Sequence, residues 1–144
     1  MSYKILFLPL LAGLIAQVIK FLIKSNQKKA SVANLFAYSG MPSAHSAIVI
    51  SLALIIGLEE GWHSALFAIS VILAIIVIRD AIGIRRYLGQ HGRILNILVK
   101  DLEEDSLLDK TYPHLLERIG HTPAQVIVGS LIGAAVSLLG YFLF

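Results

Sequence analysis

Long blocks of apolar residues constrain the fold of this chain more than any other feature. Four such blocks occupy residues 5–23, 43–58, 62–79 and 123–144, and the last contains no charged residue. A helix that crosses a bilayer needs roughly 17–25 mainly apolar residues. Because the bilayer core offers no water to the backbone, each block must satisfy its hydrogen bonds internally, as a helix does. The sequence therefore predicts an all-α integral membrane bundle of about four transmembrane helices.

Composition favours a single membrane domain over residues 1–144. Of the 144 residues, 57% are hydrophobic and only 15% are charged, whereas a soluble domain carries roughly a quarter charged residues. The third helix is predicted to extend past the membrane towards Lys100. The chain has no cysteine, which excludes disulfides and thiolate metal sites. It also has no nucleic-acid-binding motif, so we expect no nucleic-acid partner. We also expect no cofactor.

The positive charges collect in two connections on one side of the predicted bundle. An even number of crossings separates the connection after the first helix from the one after the third, so both reach the same membrane face. By the positive-inside rule this face is cytoplasmic, which predicts a multi-pass protein of the plasma (inner) membrane. The cations concerned are Lys20, Lys24, Lys28, Lys29, Arg79, Arg85, Arg86, Arg93, Lys100, Lys110 and Arg118.

Residues suited to phosphate chemistry gather at the same face. Lys20 lies near the end of the first helix, and His45 opens the second. Asp80 lies where the third helix leaves the apolar zone, and His121 precedes the fourth. Two helix N-termini and several cations in one layer favour an anion. Because one neutral imidazole can attack phosphorus while a second protonates the leaving alkoxide, these residues predict phosphoryl transfer through a phosphohistidine.

Two further patterns belong to the fourth helix. Thr122, Pro123 and Gln125 predict a capping box and a first helical turn. Gly129 and Gly133 form a small-residue stripe suited to close helix contact. The stripe predicts either packing inside the chain or a homo-oligomer through the Gly129/Gly133 face, and the spacing does not choose between them.

The run Pro42-Ser43-Ala44-His45 resembles the Pro-Ser-Gly-His motif of the type 2 phosphatidic acid phosphatase superfamily, which also includes vanadium haloperoxidases. Three wider runs resemble more closely its divergent branch, whose members are often labelled acid phosphatase or haloperoxidase-related. The resemblance extends from about Gln17 to Gly133, and the three runs together are far more specific than the four-residue motif. They are Ser39–Ser46, Arg79–Arg86 and Gly120–Gln125.

The resemblance implies a role for each matching residue. His45 corresponds to the general acid of the superfamily, and the later histidine, His121, corresponds to its nucleophile. Ser43 and nearby backbone amides are implied to bind phosphate. The early lysine and the later arginine of the phosphate clamp correspond to Lys20 and Arg118.

The chain departs from the superfamily pattern at three places. It has no Arg-Pro pair, so Arg85 or Arg86 is the candidate for the early arginine, and Arg118 lies three residues before His121 instead of six. The Asp expected four residues after the histidine is Gln125, so Asp80 is the candidate for orienting the nucleophile. The predicted site has no metal, and its residues are His121, His45 and Asp80 as catalytic groups and Lys20, Ser43, Arg79, Arg85, Arg86 and Arg118 as substrate ligands.

These patterns predict a metal-independent phosphatase that hydrolyses a lipid phosphate or an isoprenyl (di)phosphate, in contact with membrane lipids. The alternative is a non-catalytic membrane protein that binds anionic headgroups or a membrane partner, which the missing Arg-Pro pair favours. The surrounding cations disfavour a metal site built from His45, Asp80 and His121. A small transporter is disfavoured because no pair of discontinuous repeats is visible.

Overall fold

The computed structural model describes residues 3–25, 40–104, 115, 117 and 119–143, and this part of the chain contains helices and no strands. The all-α prediction is therefore confirmed. Four of the predicted cations, Lys28, Lys29, Lys110 and Arg118, lie outside the described residues. The described helices are α1 (Lys4–Ser25), α2 (Ala44–Glu60), α3 (Ala65–Ile82), α4 (Ile84–Glu104) and α5 (Pro123–Leu143).

Three described segments are long and apolar enough to cross a membrane. They are Lys4–Ile23 with 20 residues, Ala65–Lys100 with 36, and Pro123–Leu143 with 21. The chain is therefore a multi-pass membrane protein by length and composition. Helix α2, which corresponds to the second predicted span, has 17 residues and a length of about 25 Å. It packs against α1, α3 and α5 and so forms the centre of the bundle.

Local sequence sets where the central helices begin and end. The Ser43 hydroxyl accepts a hydrogen bond from the Ser46 amide, and Ser64 accepts one from Phe67, so each serine caps the helix that follows it. Helix α2 ends at Gly61, whose φ of 91° lies in the left-handed region that favours glycine. The predicted extension of the third helix is present as α4, but a break at Gly83 separates it from α3.

Small and hydroxylated side chains allow the helices around α2 to approach closely. Ala12, Ala16, Ala44 and Ala47 form a buried cluster between α1 and α2. Deeper in the bundle the hydroxyls of Ser51 and Ser137 lie 2.7 Å apart, and Ser137 donates to the backbone oxygen of Ser51 over 2.9 Å. Buried polar groups in an apolar bundle need such partners. These contacts join α2 firmly to α5.

The glycine stripe of α5 faces α2 within the same chain. A Cβ added at Gly129 would meet the backbone oxygen of Ser43, and one added at Gly133 would meet that of Ala47. Both glycines are buried. The stripe therefore packs inside the chain, and the alternative of a homo-oligomer through the Gly129/Gly133 face is not supported, because α2 already occupies that face.

Replacing Gly133 by leucine should destabilise the bundle strongly. The new side chain would meet the backbone of Ala47, which cannot move away as a flexible side chain could. Overpacking of a core typically costs about 1–3 kcal/mol. The control is Ala135→Leu, at an exposed position of the same helix. Thermal unfolding in detergent should show a lower midpoint for Gly133→Leu alone, and equal midpoints would contradict the assigned packing.

The two ends of the bundle carry different polar residues. At one end Lys4 Nζ lies 3.2 Å from Glu59 Oε1 and 5.4 Å from the centre of the Tyr141 ring. These contacts bring the start of α1, the end of α2 and the end of α5 together. Since the helices alternate in direction, the end of α1, the start of α2 and the start of α5 meet at the opposite end. That opposite end holds the predicted site.

Candidate active site

Two histidines from distant parts of the chain face each other at this end. The ring centres of His45 and His121 lie 6.2 Å apart, with the ring planes inclined by 54°. His121 is buried, with 3% of its surface exposed, whereas His45 is exposed. The separation is too long for a direct hydrogen bond between the rings, but a small group bound between them could contact both.

The backbone around His121 is held by the end of α3 and by α4. The His121 amide donates to the backbone oxygen of Ala81 over 2.9 Å. The preceding residue, Gly120, has a φ of 89°, and a Cβ there would lie 2.8 Å from the Arg86 amide nitrogen. Farther along α4, the Asn96 side chain both donates to and accepts from the backbone of Leu115 over 2.9 Å. Helix α4 thus serves as the support along which the chain returns to His121.

Gln125 fixes the orientation of the His121 ring. Its Oε1 accepts from the Thr122 amide over 3.0 Å and lies 3.3 Å from Nδ1 of His121. An amide oxygen only accepts, so Nδ1 must carry the hydrogen. A neutral ring in this tautomer has its lone pair on Nε2. The Gln125 amide also donates to the Thr122 hydroxyl over 3.4 Å, which completes the predicted capping box.

Cationic side chains surround the two rings. Lys20 of α1 is buried, with 3% of its surface exposed, and it interacts electrostatically with both His45 and His121. Arg85 and Asp80 also lie within electrostatic range of His45. Arg85 Nε donates to Asp80 Oδ2 over 2.6 Å. This bond leaves the two terminal guanidinium nitrogens of Arg85 without a partner among the residues that the structure describes.

Burial lowers the pKa of the His121 imidazole below its ordinary value of 6.5. The charge of Lys20 and the neighbouring His45 lower it further, whereas hydrogen bonding to Gln125 and to the backbone of Gly40 opposes the shift. Desolvation and a nearby cation both disfavour the charged ring. His121 is therefore neutral at pH 7, the state that a nitrogen nucleophile requires.

Comparison with known proteins decides the family to which this arrangement belongs. A family model described as the divergent PAP2 family matches residues 1–136. The chain belongs to the divergent PAP2 family. It is also similar to a protein described as the uncharacterized membrane protein YuiD of Bacillus subtilis (strain 168), with 37% identity over 149 residues that cover 93% of this chain and 94% of that protein. No solved structure matches the chain significantly.

In this divergent PAP2 protein, the structure brings together part of the predicted site. Lys20, His45, Asp80, Arg85 and His121 form one cluster. Asp80, predicted to orient the nucleophile, pairs with Arg85. The contact with the Nδ1 atom of His121 comes from Gln125 instead.

The remaining predicted ligands lie in other surroundings. Ser43 is fully buried, its amide donates to the Gln125 backbone oxygen over 3.0 Å, and its hydroxyl caps α2. Arg79 is exposed on α3. Arg86 is exposed and lines a cleft at the junction of α3 and α4. Arg118 lies outside the described residues, and those residues contain no group of three His, Asp or Glu side chains arranged to hold a metal.

In this divergent PAP2 chain, Gln125 has a second role that its spacing from Thr122 does not predict. Its spacing from Thr122 predicts a helix cap, and it does serve as one. The same Oε1 atom also reaches His121. The available signal was its place four residues after the histidine, where the superfamily carries an Asp. A neutral amide can replace that carboxylate as a hydrogen-bond acceptor, although without its negative charge.

Proposed function

We propose that this protein is a metal-independent phosphatase that hydrolyses a lipid phosphate or an isoprenyl (di)phosphate through a phosphohistidine. One observation carries the proposal: His45 and His121 lie opposite each other beside Lys20 and Arg85, at one end of a membrane bundle. A nucleophile, an acid and two cations are the groups that phosphoryl transfer needs. Membership of the divergent PAP2 family agrees with this chemistry.

The proposed reaction proceeds in two displacements. In the first, the Nε2 lone pair of His121 attacks phosphorus, the bond between phosphorus and the lipid oxygen breaks, and His45 gives its proton to the leaving alkoxide. In the second, His45 takes a proton from water, the resulting hydroxide attacks the phosphohistidine, and inorganic phosphate leaves with His121 restored. Asp80, held by Arg85, supplies negative charge near His45 whenever that ring carries a proton.

Lys20 and Arg85 are proposed to hold the phosphoryl oxygens. Lys20 provides a fixed, buried charge, and Arg85 offers its two terminal nitrogens while its Nε remains on Asp80. The start of α2 adds backbone donors, because the amides of Ala44 and His45 belong to the first helical turn and have no intrahelical partner. These groups would stabilise the charge on the transferred phosphoryl group without a bound metal.

The surroundings of the site favour a lipid as the rest of the substrate. The bundle presents large apolar side chains outward, including Leu14, Leu22, Ile72, Ile76 and Leu131. Such surfaces lie against the acyl chains of a bilayer. A phosphate at the cationic end would place an attached hydrocarbon tail alongside the helices. A water-soluble phosphate ester would gain nothing from this position.

A phosphate-release assay on the purified protein in lipid nanodiscs tests the proposal. The substrate panel should include phosphatidate, an isoprenyl phosphate and an isoprenyl diphosphate, each with and without EDTA. We expect release of inorganic phosphate from at least one lipid and the same rate with the chelator. Saturable binding of these lipids without turnover would reject the phosphatase and support the alternative of a non-catalytic headgroup-binding protein.

The pH dependence of turnover should follow the protonation of His121. Because its pKa lies below 6.5 and the neutral ring is the nucleophile, the fall of kcat/KM on the acid side should lie below pH 6.5. Gln125→Asp places a negative charge beside the ring, which raises the pKa of His121 and moves this fall to higher pH. The control is Ala124→Asp, at an exposed position of the same helical turn. Identical pH profiles for Gln125→Asp and the wild type would remove Gln125 as the residue positioning His121.

A further inference from the structure

Helix α4 leaves the bundle after the break at Gly83. Among the described helices it packs only against α3, its predecessor in the chain. The segment Ala65–Lys100, which includes this break, has 36 residues and would be about 54 Å long as a straight helix. The hydrocarbon core of a bilayer is only about 30 Å thick, and α3 alone is about 27 Å long. Helix α4 therefore continues beyond the thickness that α3 already spans.

One face of α4 is apolar and uncovered. Large apolar side chains recur on this face every three or four residues, and all of them are exposed. Tyr87, for example, has 64% of its surface exposed. A face of this size in contact with water would be costly, and it marks a surface that binds something apolar. The exposed apolar residues of the face are Ile84, Tyr87, Leu88, Ile94, Leu95 and Leu98, and the exposed His91 lies among them.

A different face of α4 is already occupied by the chain itself. Asn96 binds the backbone of Leu115, and a Cβ added at Gly89 would meet the backbone oxygen of Glu117. Both Gly89 and Gly92 are buried. The segment that returns to His121 thus runs along the side of the helix that carries these small residues. Leu115 and Glu117, the described residues of that segment that contact α4, lie on this side and not on the apolar face.

The polar side of α4 carries positive charge where a membrane surface would need it. Arg86, Arg93 and Lys100 recur every seven residues and so lie along one line of the helix, on the side opposite the apolar face. Acidic residues in α4 appear only in its last turn, at Asp101, Glu103 and Glu104. A helix with an apolar face and with basic residues on its polar face is typical of helices that lie in the headgroup layer of anionic bilayers.

The junction of α3 and α4 contains a cleft near the start of α4. This cleft of about 360 Å³ is lined by Ile82, Gly83, Arg86, Tyr87 and Gln90. It combines an arginine, an amide and a tyrosine with apolar walls. Arginine and tyrosine at the boundary between apolar and polar layers are suited to phospholipid headgroups.

We propose that α4 lies along the membrane surface as an interfacial helix and that its occupant is a bilayer containing anionic phospholipid. The apolar face inserts among the upper acyl chains, and Arg86, Arg93 and Lys100 contact the lipid phosphates. Because α4 also supports the segment that leads to His121, this position would fix the candidate active site at the headgroup layer. The proposal does not depend on whether the protein is a phosphatase.

Spin labels placed along α4 test this position directly. The chain has no cysteine, so single substitutions can be labelled without a background. Leu88→Cys and Leu95→Cys report the apolar face, while Gln90→Cys and Arg93→Cys report the polar side, and all four positions are exposed. The full protein is reconstituted in vesicles of phosphatidylcholine, either alone or with about one-third of the anionic lipid phosphatidylglycerol. Power saturation then compares collisions with oxygen and with a water-soluble nickel complex.

We expect the labels at positions 88 and 95 to collide mainly with oxygen and those at 90 and 93 mainly with nickel. Strong nickel collisions at all four positions would show a helix projecting into water and would overturn the proposal. Shielding of positions 88 and 95 from both reagents, with dipolar broadening between labels, would show a second copy of the chain on this face and would also overturn it.

The charge requirement is tested with the label at Leu95 in the two lipid mixtures. The label should lie deeper in vesicles that contain phosphatidylglycerol, and the double substitution Arg93→Gln/Lys100→Gln should remove most of that difference. The matched control is Lys4→Gln, at the other end of the bundle. Equal depth in both mixtures for the otherwise native chain would refute the preference for anionic lipid.

Discussion

Replacing His121 by alanine should abolish phosphate release from the lipid substrate. The substitution removes the nitrogen that attacks phosphorus, and loss of a nucleophile in hydrolases lowers kcat on the order of 10⁴-fold or more. The measurement is inorganic phosphate released at saturating substrate. Far-UV circular dichroism and gel filtration should remain unchanged, because the neighbouring backbone contact from His121 to Ala81 uses the main chain.

The control for this experiment is His63→Ala. His63 is exposed in the turn between α2 and α3, at the opposite end of the bundle. Its loss should leave turnover unchanged. Full turnover by the folded His121→Ala protein would exclude His121 as the nucleophile and would leave the paired histidines without their proposed chemistry.

Replacing His45 by glutamine should have an effect that depends on the leaving group. Without a general acid, release of a lipid alkoxide should slow by about 10²–10⁴-fold. A substrate such as p-nitrophenyl phosphate needs no proton on its leaving oxygen, so its first displacement should be affected far less. Pre-steady-state measurement of the first turnover with both substrates separates this step from the hydrolysis of the phosphohistidine.

Two outcomes decide the role of His45. A large loss with the lipid and a small loss with p-nitrophenyl phosphate would support proton donation. Equal losses with both substrates would contradict it and would indicate that His45 only helps to bind phosphate, as a neighbour of Arg85 and Lys20 could. His91→Gln, an exposed histidine on α4, is the control for the substitution itself.

The helical architecture and the polar end of the bundle could be predicted because both follow from hydrophobic blocks and turn residues. The charge-free block from Pro123 admits only a helix in a bilayer. Alternating helix directions then bring Lys20, His45 and His121 to one end. The predicted family resemblance is confirmed by the match over residues 1–136.

The arginine that approaches His45 could not be chosen from the sequence. Seven-residue spacing places Arg79 and Arg86 on one face only if the helix is unbroken, but the backbone is interrupted at Gly83. One residue along a helix changes direction by about 100°. After the break, Arg85 lies near His45, and Arg86 lines the cleft at the helix junction.

The roles of the glycine stripe and of Ser43 could not be predicted from the sequence, because each depends on which surfaces the fold buries. A glycine stripe has the same spacing whether it packs inside a chain or between chains, and only the position of α2 against Gly129 and Gly133 decides the question. Ser43 could bind phosphate by its chemistry. Its hydroxyl instead caps α2. Its amide donates to the Gln125 backbone oxygen and so joins α2 to α5, a contact that no local pattern specifies.

The central claim is that His121 takes the phosphoryl group while His45 faces it. Trapping the covalent intermediate tests this claim most directly. The protein is mixed with ³²P-labelled lipid phosphate, quenched in alkali within the first turnover, and digested for mass spectrometry. We predict a phosphoryl group that is stable in alkali, labile in acid and attached to His121, with none in the His121→Ala protein. Turnover that proceeds with no phosphoprotein, and with inversion of configuration at a chiral phosphorus, would show direct attack by water and would contradict the account.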